Sequence, residues 1–167
     1  MKPNERGNVC FRVTRRCNLR CGFCQAPPNG KELPLAALKH VLAQLKTMGI
    51  QRVKLTGGEP YVREDIDDVI AHCSRLDLDV TLCSNGTLLD DQRIRVLHQA
   101  NGKIKVGLHG TPELHDTLVG AHVAHQVHSN IVRCLQVGVK LSIHTLLTRM
   151  SDRDKVKSGV WNAFGIG

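Results

Sequence analysis

Three cysteines crowd into the run Cys17-Asn18-Leu19-Arg20-Cys21-Gly22-Phe23-Cys24. Three thiolates in one tight loop suit a metal centre, and the odd total of 7 cysteines argues against a complete disulfide set. Three cysteine ligands would leave one iron of a four-iron cluster free for another molecule, and an open position means chemistry. The competing reading is a structural zinc site completed by Cys10, a spacing unlike the paired two-residue gaps of common zinc modules. Arg15, Arg16 and Arg20 flank the cysteines, and positive charge there should lower the thiol pKa and offset an anionic centre.

Three further segments combine glycine with polar side chains. In Gly57-Gly58-Glu59-Pro60 the glycines would let backbone approach a ligand, and Glu59 could accept hydrogen bonds from an ammonium; taken alone, such a turn is more often plain turn chemistry. Ser84-Asn85-Gly86 and Gly107-Leu108-His109-Gly110 are polar turns of the same kind. Thr111-Pro112-Glu113-Leu114-His115-Asp116 offers a histidine and an acid in a long loop, to a ligand or as a helix-capping segment. His122, His125 and His128 lack the acid-paired spacing of a zinc helix and read as a solvated face. Cys10, Cys73, Cys83 and Cys134 read as buried small hydrophobes, with Cys83 on the same strand face as the polar residues below.

The elements that must position these groups follow from periodicity. Strands are predicted over residues 9–14, 53–56, 78–83, 104–109 and 139–147. Between them lie helical patterns: one from Pro34 to Gly49 with Leu35, Leu38, Val41, Leu42, Leu45 and Met48 on one face, then 64–76 and 90–99. A fourth helix carries Val123, Val127, Ile131 and Leu135, and a last one starts at the cap candidate Ser151 with Val156 and Val160 inward. Each chemistry-bearing segment thus follows a strand, as in repeated βα units around a parallel sheet.

Strand parity adds a second inference. Val9, Phe11, Val13, Val53, Leu55, Val80, Leu82, Ile104, Val106, Leu141 and Ile143 share one face; Arg12, Thr14, Lys54, Thr56, Thr81, Lys105, His109, Lys140, Ser142 and His144 share the other. In a curved parallel sheet one face meets helices and the other lines the interior, so a polar, basic interior is expected.

The cysteine triplet with three and two intervening residues, and an aromatic before the last cysteine, resembles the radical SAM signature. The resemblance extends to the GGEP-type turn after the second strand and to Ser84-Asn85-Gly86, in the same order along residues 9–147. It implies an α/β fold, a partial parallel (β/α) barrel of about five βα units. It implies a [4Fe-4S] cluster on Cys17, Cys21 and Cys24, and S-adenosyl-L-methionine (SAM) near Phe23, Gly57, Gly58, Glu59, Pro60, Ser84, Asn85 and His109. The implied chemistry is reductive cleavage of SAM to a 5′-deoxyadenosyl radical that abstracts hydrogen from a small-molecule or peptide substrate. An electron donor such as flavodoxin or ferredoxin is implied too. Branches acting in molybdenum-cofactor and peptide maturation are the most similar. The family's sixth strand is not seen, so residues 1–167 are expected to be a single core domain, truncated at the carboxy end, or to have the open edge covered by a partner chain.

Composition bounds the alternatives. Net charge is +8, from 23 Lys and Arg against 15 Asp and Glu, which favours anionic partners. Aromatic residues are only 3%, leaving few platforms for stacked bases and disfavouring nucleic acid. No run approaches a membrane span and no signal-peptide pattern opens the chain, so a cytoplasmic location is expected. Two rivals follow: a cluster-binding fragment or pseudoenzyme without turnover, and a basic zinc module for nucleic acid.

Overall fold

A computed structural model describes residues 7–25, 31–149, 151 and 156. Five parallel strands form one sheet in the order of the chain: β1 (Gly7–Arg12), β2 (Ile50–Thr56), β3 (Asp79–Ser84), β4 (Lys103–Gly107) and β5 (Lys140–His144). Five α-helices connect or follow them: α1 (Leu35–Thr47), α2 (Ile66–Arg75), α3 (Asp91–Gln99), α4 (Pro112–Val119) and α5 (Ala124–Val137). The fold is α/β, an open partial barrel among the described residues.

Alternation along the strands decides where the core lies. Val53, Leu55, Val80, Leu82, Ile104 and Val106 are buried against Leu38, Leu42, Ile70, Leu97, Val127 and Ile131 of the helices. Apolar burial on this convex face is the main force holding helices to sheet. The opposite face carries Lys54, Thr81, Lys105 and Ser142 in the register expected from parity. Thr14 departs from that reading: it lies beyond β1 and is buried, its hydroxyl accepting from the Arg16 N–H. His109 also lies past its strand's end and is buried.

Several expectations are corrected. Residues 112–119, expected within a long loop, form α4, and of the two readings of Thr111 to Asp116 the helix-capping one holds at Thr111: Pro112 opens the helix, and the Thr111 hydroxyl caps it by accepting from the Leu114 N–H at 3.5 Å. Met48 is 73% exposed because α1 ends at Thr47, one residue short of the predicted face. Leu135 is exposed, because the buried stripe of α5 runs through Val127, Asn130, Ile131 and Cys134. Cys10 is exposed on the polar strand face, in register with Lys54, whereas Cys73 and Cys134 are buried as expected. The expected last helix lies largely outside the described residues; within it Val156 is helical and buried.

Candidate functional site

The ends of the strands, not the strands themselves, carry the site. All three cysteine side chains border one cavity of about 730 Å³, together with Gly57, Gly58, Cys83, Ser84, Asn85, Lys105, His109, His115 and His144. This is the carboxyl end of a parallel sheet, where ligands of such folds bind.

Four contacts hold the cysteine loop there. The Glu59 N–H donates to the Arg16 carbonyl (2.9 Å) and the Gly58 N–H to the Thr14 carbonyl (3.1 Å), which seats the loop on the turn after β2. A Cβ on Gly57 would stand 2.5 Å from the Thr14 carbonyl oxygen, and one on Gly58 would collide with the Arg16 backbone, so both glycines are required by this packing as well as bordering the cavity. The Gly22 N–H donates to the Leu118 carbonyl of α4 at 3.1 Å. Phe23 meets His109 edge to face, ring centroids 5.1 Å apart.

The fourth contact is a ring of three side chains. Asn18 Nδ2 donates to Thr87 Oγ1 (2.8 Å), Thr87 Oγ1 donates to Asn85 Oδ1 (2.7 Å), and Asn85 Nδ2 donates to Asn18 Oδ1 (2.9 Å). Every member satisfies the next, as a half-buried polar network must. Asn18 and Thr87 escaped the sequence reading; their separation along the chain leaves no local signal.

Glu59 and Pro60 sit differently from the other expected site residues. Both are buried and neither borders the cavity. The Glu59 carboxylate accepts from the Tyr61 N–H (3.1 Å), Ser84 Oγ (3.0 Å) and the Asn85 N–H (2.7 Å). It therefore ties the turn after β2 to the turn after β3. Burial pushes its pKa above the ordinary carboxylate range, and these hydrogen bonds oppose that shift.

The thiols have a corresponding electrostatic signature. Burial raises the pKa of Cys17 and Cys21; negative charge on Glu59 and Cys24 raises that of Cys17 further, and negative charge on Cys17 and Cys24 that of Cys21. The expected lowering by arginine is not what the geometry produces: Arg16 is held by Glu32 at 2.8 Å, and burial leads the causes. Mutual repulsion of three thiolates around one opening is what a bound cationic iron centre would relieve, so the residues fit a cluster. Among the described residues no three His, Cys, Asp or Glu side chains converge on a single metal ion.

Two histidines border the same cavity. His109 Nδ1 accepts from the Leu146 N–H (3.2 Å), and His115 Nδ1 accepts from the His109 N–H (3.3 Å). Backbone donors thus fix both neutral rings with hydrogen on Nε2. The rings stack with centroids 5.4 Å apart. Burial, then the neighbouring His115 and His144, lowers the His109 pKa to about 4, and burial lowers that of His115. His115 Nε2 is buried with no partner among the described residues. Asp116, the other polar candidate of this segment, is a cap: its Oδ1 accepts from the Val123 and Ala124 N–H groups at the start of α5. His122 is fully exposed, 3.4 Å from Asp116.

A cysteine loop, a glycine turn and polar turns ending successive parallel strands can be compared with known proteins. The family model of the Radical SAM superfamily matches residues 11–157. The chain belongs to that superfamily. Radical SAM relatives include the GTP 3',8-cyclase of Aquifex aeolicus (strain VF5), 32% identical over 158 residues, covering 86% of this chain and 48% of that protein. The PqqA peptide cyclase of Bradyrhizobium diazoefficiens is 28% identical over 150 residues, 86% of this chain and 40% of the other. The chain spans about half the length of the curated relatives it matches, or less. Among solved structures, Streptococcus suis SuiB bound to S-adenosylmethionine superposes with a TM-score of 0.82 at 21% identity, over 95% of this chain and 37% of that one. This last likeness establishes the radical SAM fold. The radical SAM superfamily is a family of enzymes, and the curated relatives are named as cyclases and synthases.

Proposed function

We propose that this chain is the SAM-cleaving core of a radical enzyme, with Cys17, Cys21 and Cys24 as the ligands of a [4Fe-4S] cluster. The observation that carries the reading is the gathering of all three thiols at one cavity with Gly57, Gly58, Asn85 and His109. When bound, cluster and SAM supply a one-electron cleavage that releases a 5′-deoxyadenosyl radical able to abstract hydrogen from substrate.

The chain's own residues bind and orient. Gly57 and Gly58 offer a backbone rim with no side chain in the way, and Asn85, fixed by Asn18 and Thr87, presents a held amide 4.0 Å from the Cys17 sulfur. Glu59, with Ser84, acts as a positioning residue that aligns the turns. Phe23 is a spacer between the cysteine loop and His109. His109 is a neutral donor for a hydroxyl of the cofactor. The substrate is an anionic small molecule or a peptide; the peptide option is supported by SuiB, solved with its precursor peptide. A low-potential electron donor is required. The chain's single core domain acts with the rest of a longer protein or with a partner at the sheet edge.

The test is anaerobic reconstitution with iron and sulfide, then reduction in the presence of SAM. Four irons per chain, their loss in Cys17→Ala, and accumulation of 5′-deoxyadenosine are expected. A cluster without that product would favour the inactive-core reading. Bound zinc with no cluster would sink the proposal.

A further inference from the structure

We infer that His115 of α4 is a further cofactor-binding residue: its buried Nε2–H, which has no acceptor among the described residues, is the donor that holds an uncharged oxygen or ring nitrogen of bound SAM. The inference rests on the proposed function and adds to it a contact from α4, outside the cysteine loop and outside the turns that end β2, β3 and β4.

The imidazole is fixed within the protein itself. His115 is 1% exposed, its Nδ1 accepts from the His109 N–H at 3.3 Å, and its ring stacks on that of His109 with centroids 5.4 Å apart. A neutral imidazole that accepts at Nδ1 carries its hydrogen on Nε2, turned away from the His109 backbone. Burial lowers the His115 pKa, which keeps the ring neutral. Nε2 is therefore a donor, and it stands without a partner among the described residues. Its neighbours are satisfied: His109 Nδ1 accepts from the Leu146 N–H, the Thr111 hydroxyl from the Leu114 N–H, and Asp116 Oδ1 from the Val123 and Ala124 N–H groups. A buried donor with no acceptor costs stability, so its retention at the edge of a cavity calls for an explanation, and a ligand that brings the acceptor supplies one.

The place of α4 decides which ligand that is. His115 and Val119 lie one helical turn apart, so they share a face, and both border the cavity. The same helix is fastened to the cysteine loop. The Gly22 N–H donates to the Leu118 carbonyl at 3.1 Å, and a Cβ on Gly120, which ends α4, would stand 3.4 Å from the Arg20 carbonyl oxygen. From the loop inward, Phe23, His109 and His115 follow one another ring against ring. A molecule lying against this wall lies beside the cluster ligands, which is the place of the cofactor in the proposed function. SAM carries suitable acceptors in its ribose oxygens and adenine nitrogens. A neutral N–H can meet them without setting a second positive charge beside the sulfonium, as a lysine or arginine would.

The experiment is equilibrium dialysis of radiolabelled SAM against the reconstituted, unreduced chain, with urea unfolding of the same preparations in the absence of SAM. Two variants separate the two ring nitrogens. In His115→Asn the short amide can still accept from the His109 N–H but places no donor at the Nε2 position. In His115→Gln the longer amide reaches the Nε2 position and leaves the His109 N–H unpaired. Affinity for SAM is expected to fall about tenfold in His115→Asn, with an unfolding midpoint near the parent's. In His115→Gln the affinity should stay within about threefold of the parent's while the midpoint drops. Equal affinity in the parent and His115→Asn would overturn the inference. Affinities that fall in step with the midpoints would overturn it too, since that is the pattern of a purely structural histidine. No saturable binding by the parent would instead overturn the radical reading, and this inference with it, so the two failures are told apart.

Discussion

His109 shows how one residue's surroundings set its chemistry. Its Nδ1 is occupied by the Leu146 N–H, its ring lies between Phe23 and His115, and its pKa is depressed to about 4. The sign of the stability effect follows directly. The unfolded chain takes up the proton near pH 6.5 and the folded chain only near pH 4, so the contribution is fully present above 6.5 and lost as pH falls between them. At its limit the loss is on the order of 3 kcal/mol, and His115, shifted the same way, adds to it. Urea unfolding measured from pH 7 to pH 4 should show stability falling through this window. In His109→Phe, which keeps an aromatic ring in the stack, the slope should shrink by about one proton. An unchanged slope would mean that the histidine titrates normally and is open to water. Lys54 and Lys105 make the complementary point: alternation puts them on the interior face, yet only the strand register shows that they flank one stretch of β3.

At the scale of elements, α4 separates what was legible from what was not. The strands, α1 to α3 and α5 were readable because apolar residues recur at the period of each element, and that period is local information. In α4 the helix has only 8 residues, and the buried His115 stands where a hydrophobic residue would have signalled a face. Its start signal, Thr111 followed by Pro112, is consistent with a ligand loop and with a helix cap alike, and the structure makes it the cap. The Cys, GGEP and Ser84-Asn85 segments were legible as motifs. The Asn18–Thr87–Asn85 ring and the inward turn of Glu59 were not, since both depend on contacts between loops that only the finished sheet brings together. Asp116 tests the division of labour in this segment. With Oδ1 accepting two backbone N–H groups of the α5 start, Asp116→Ala should cost about 1 kcal/mol of stability in urea unfolding. Affinity for SAM, measured by dialysis, should stay as in the parent. Lost affinity with unchanged stability would instead place Asp116 at the ligand.

At the scale of the whole molecule, the strand order β1-β2-β3-β4-β5 leaves two edges among the described residues; α1, α2, α3 and α5 pack on the convex face, while α4 borders the cavity through His115 and Val119. Among the described residues no helix is long and apolar enough to cross a membrane. An edge strand presents a row of backbone groups with no ladder partner on one side, and amides there exchange with solvent through small local openings. Buried central strands open only with the whole domain. Hydrogen–deuterium exchange should therefore rank β2, β3 and β4 as the most protected, with the outward amides of β1 and β5 exchanging far faster. The ranking should not change when protein concentration is raised tenfold. Slow exchange along β5 that strengthens with concentration would show a second chain pairing at that edge. The same slow exchange at every concentration would show that another part of the same chain covers it. In either case the cavity would be closed on its β5 side, beside His144, and a substrate would have to enter from the cysteine-loop side.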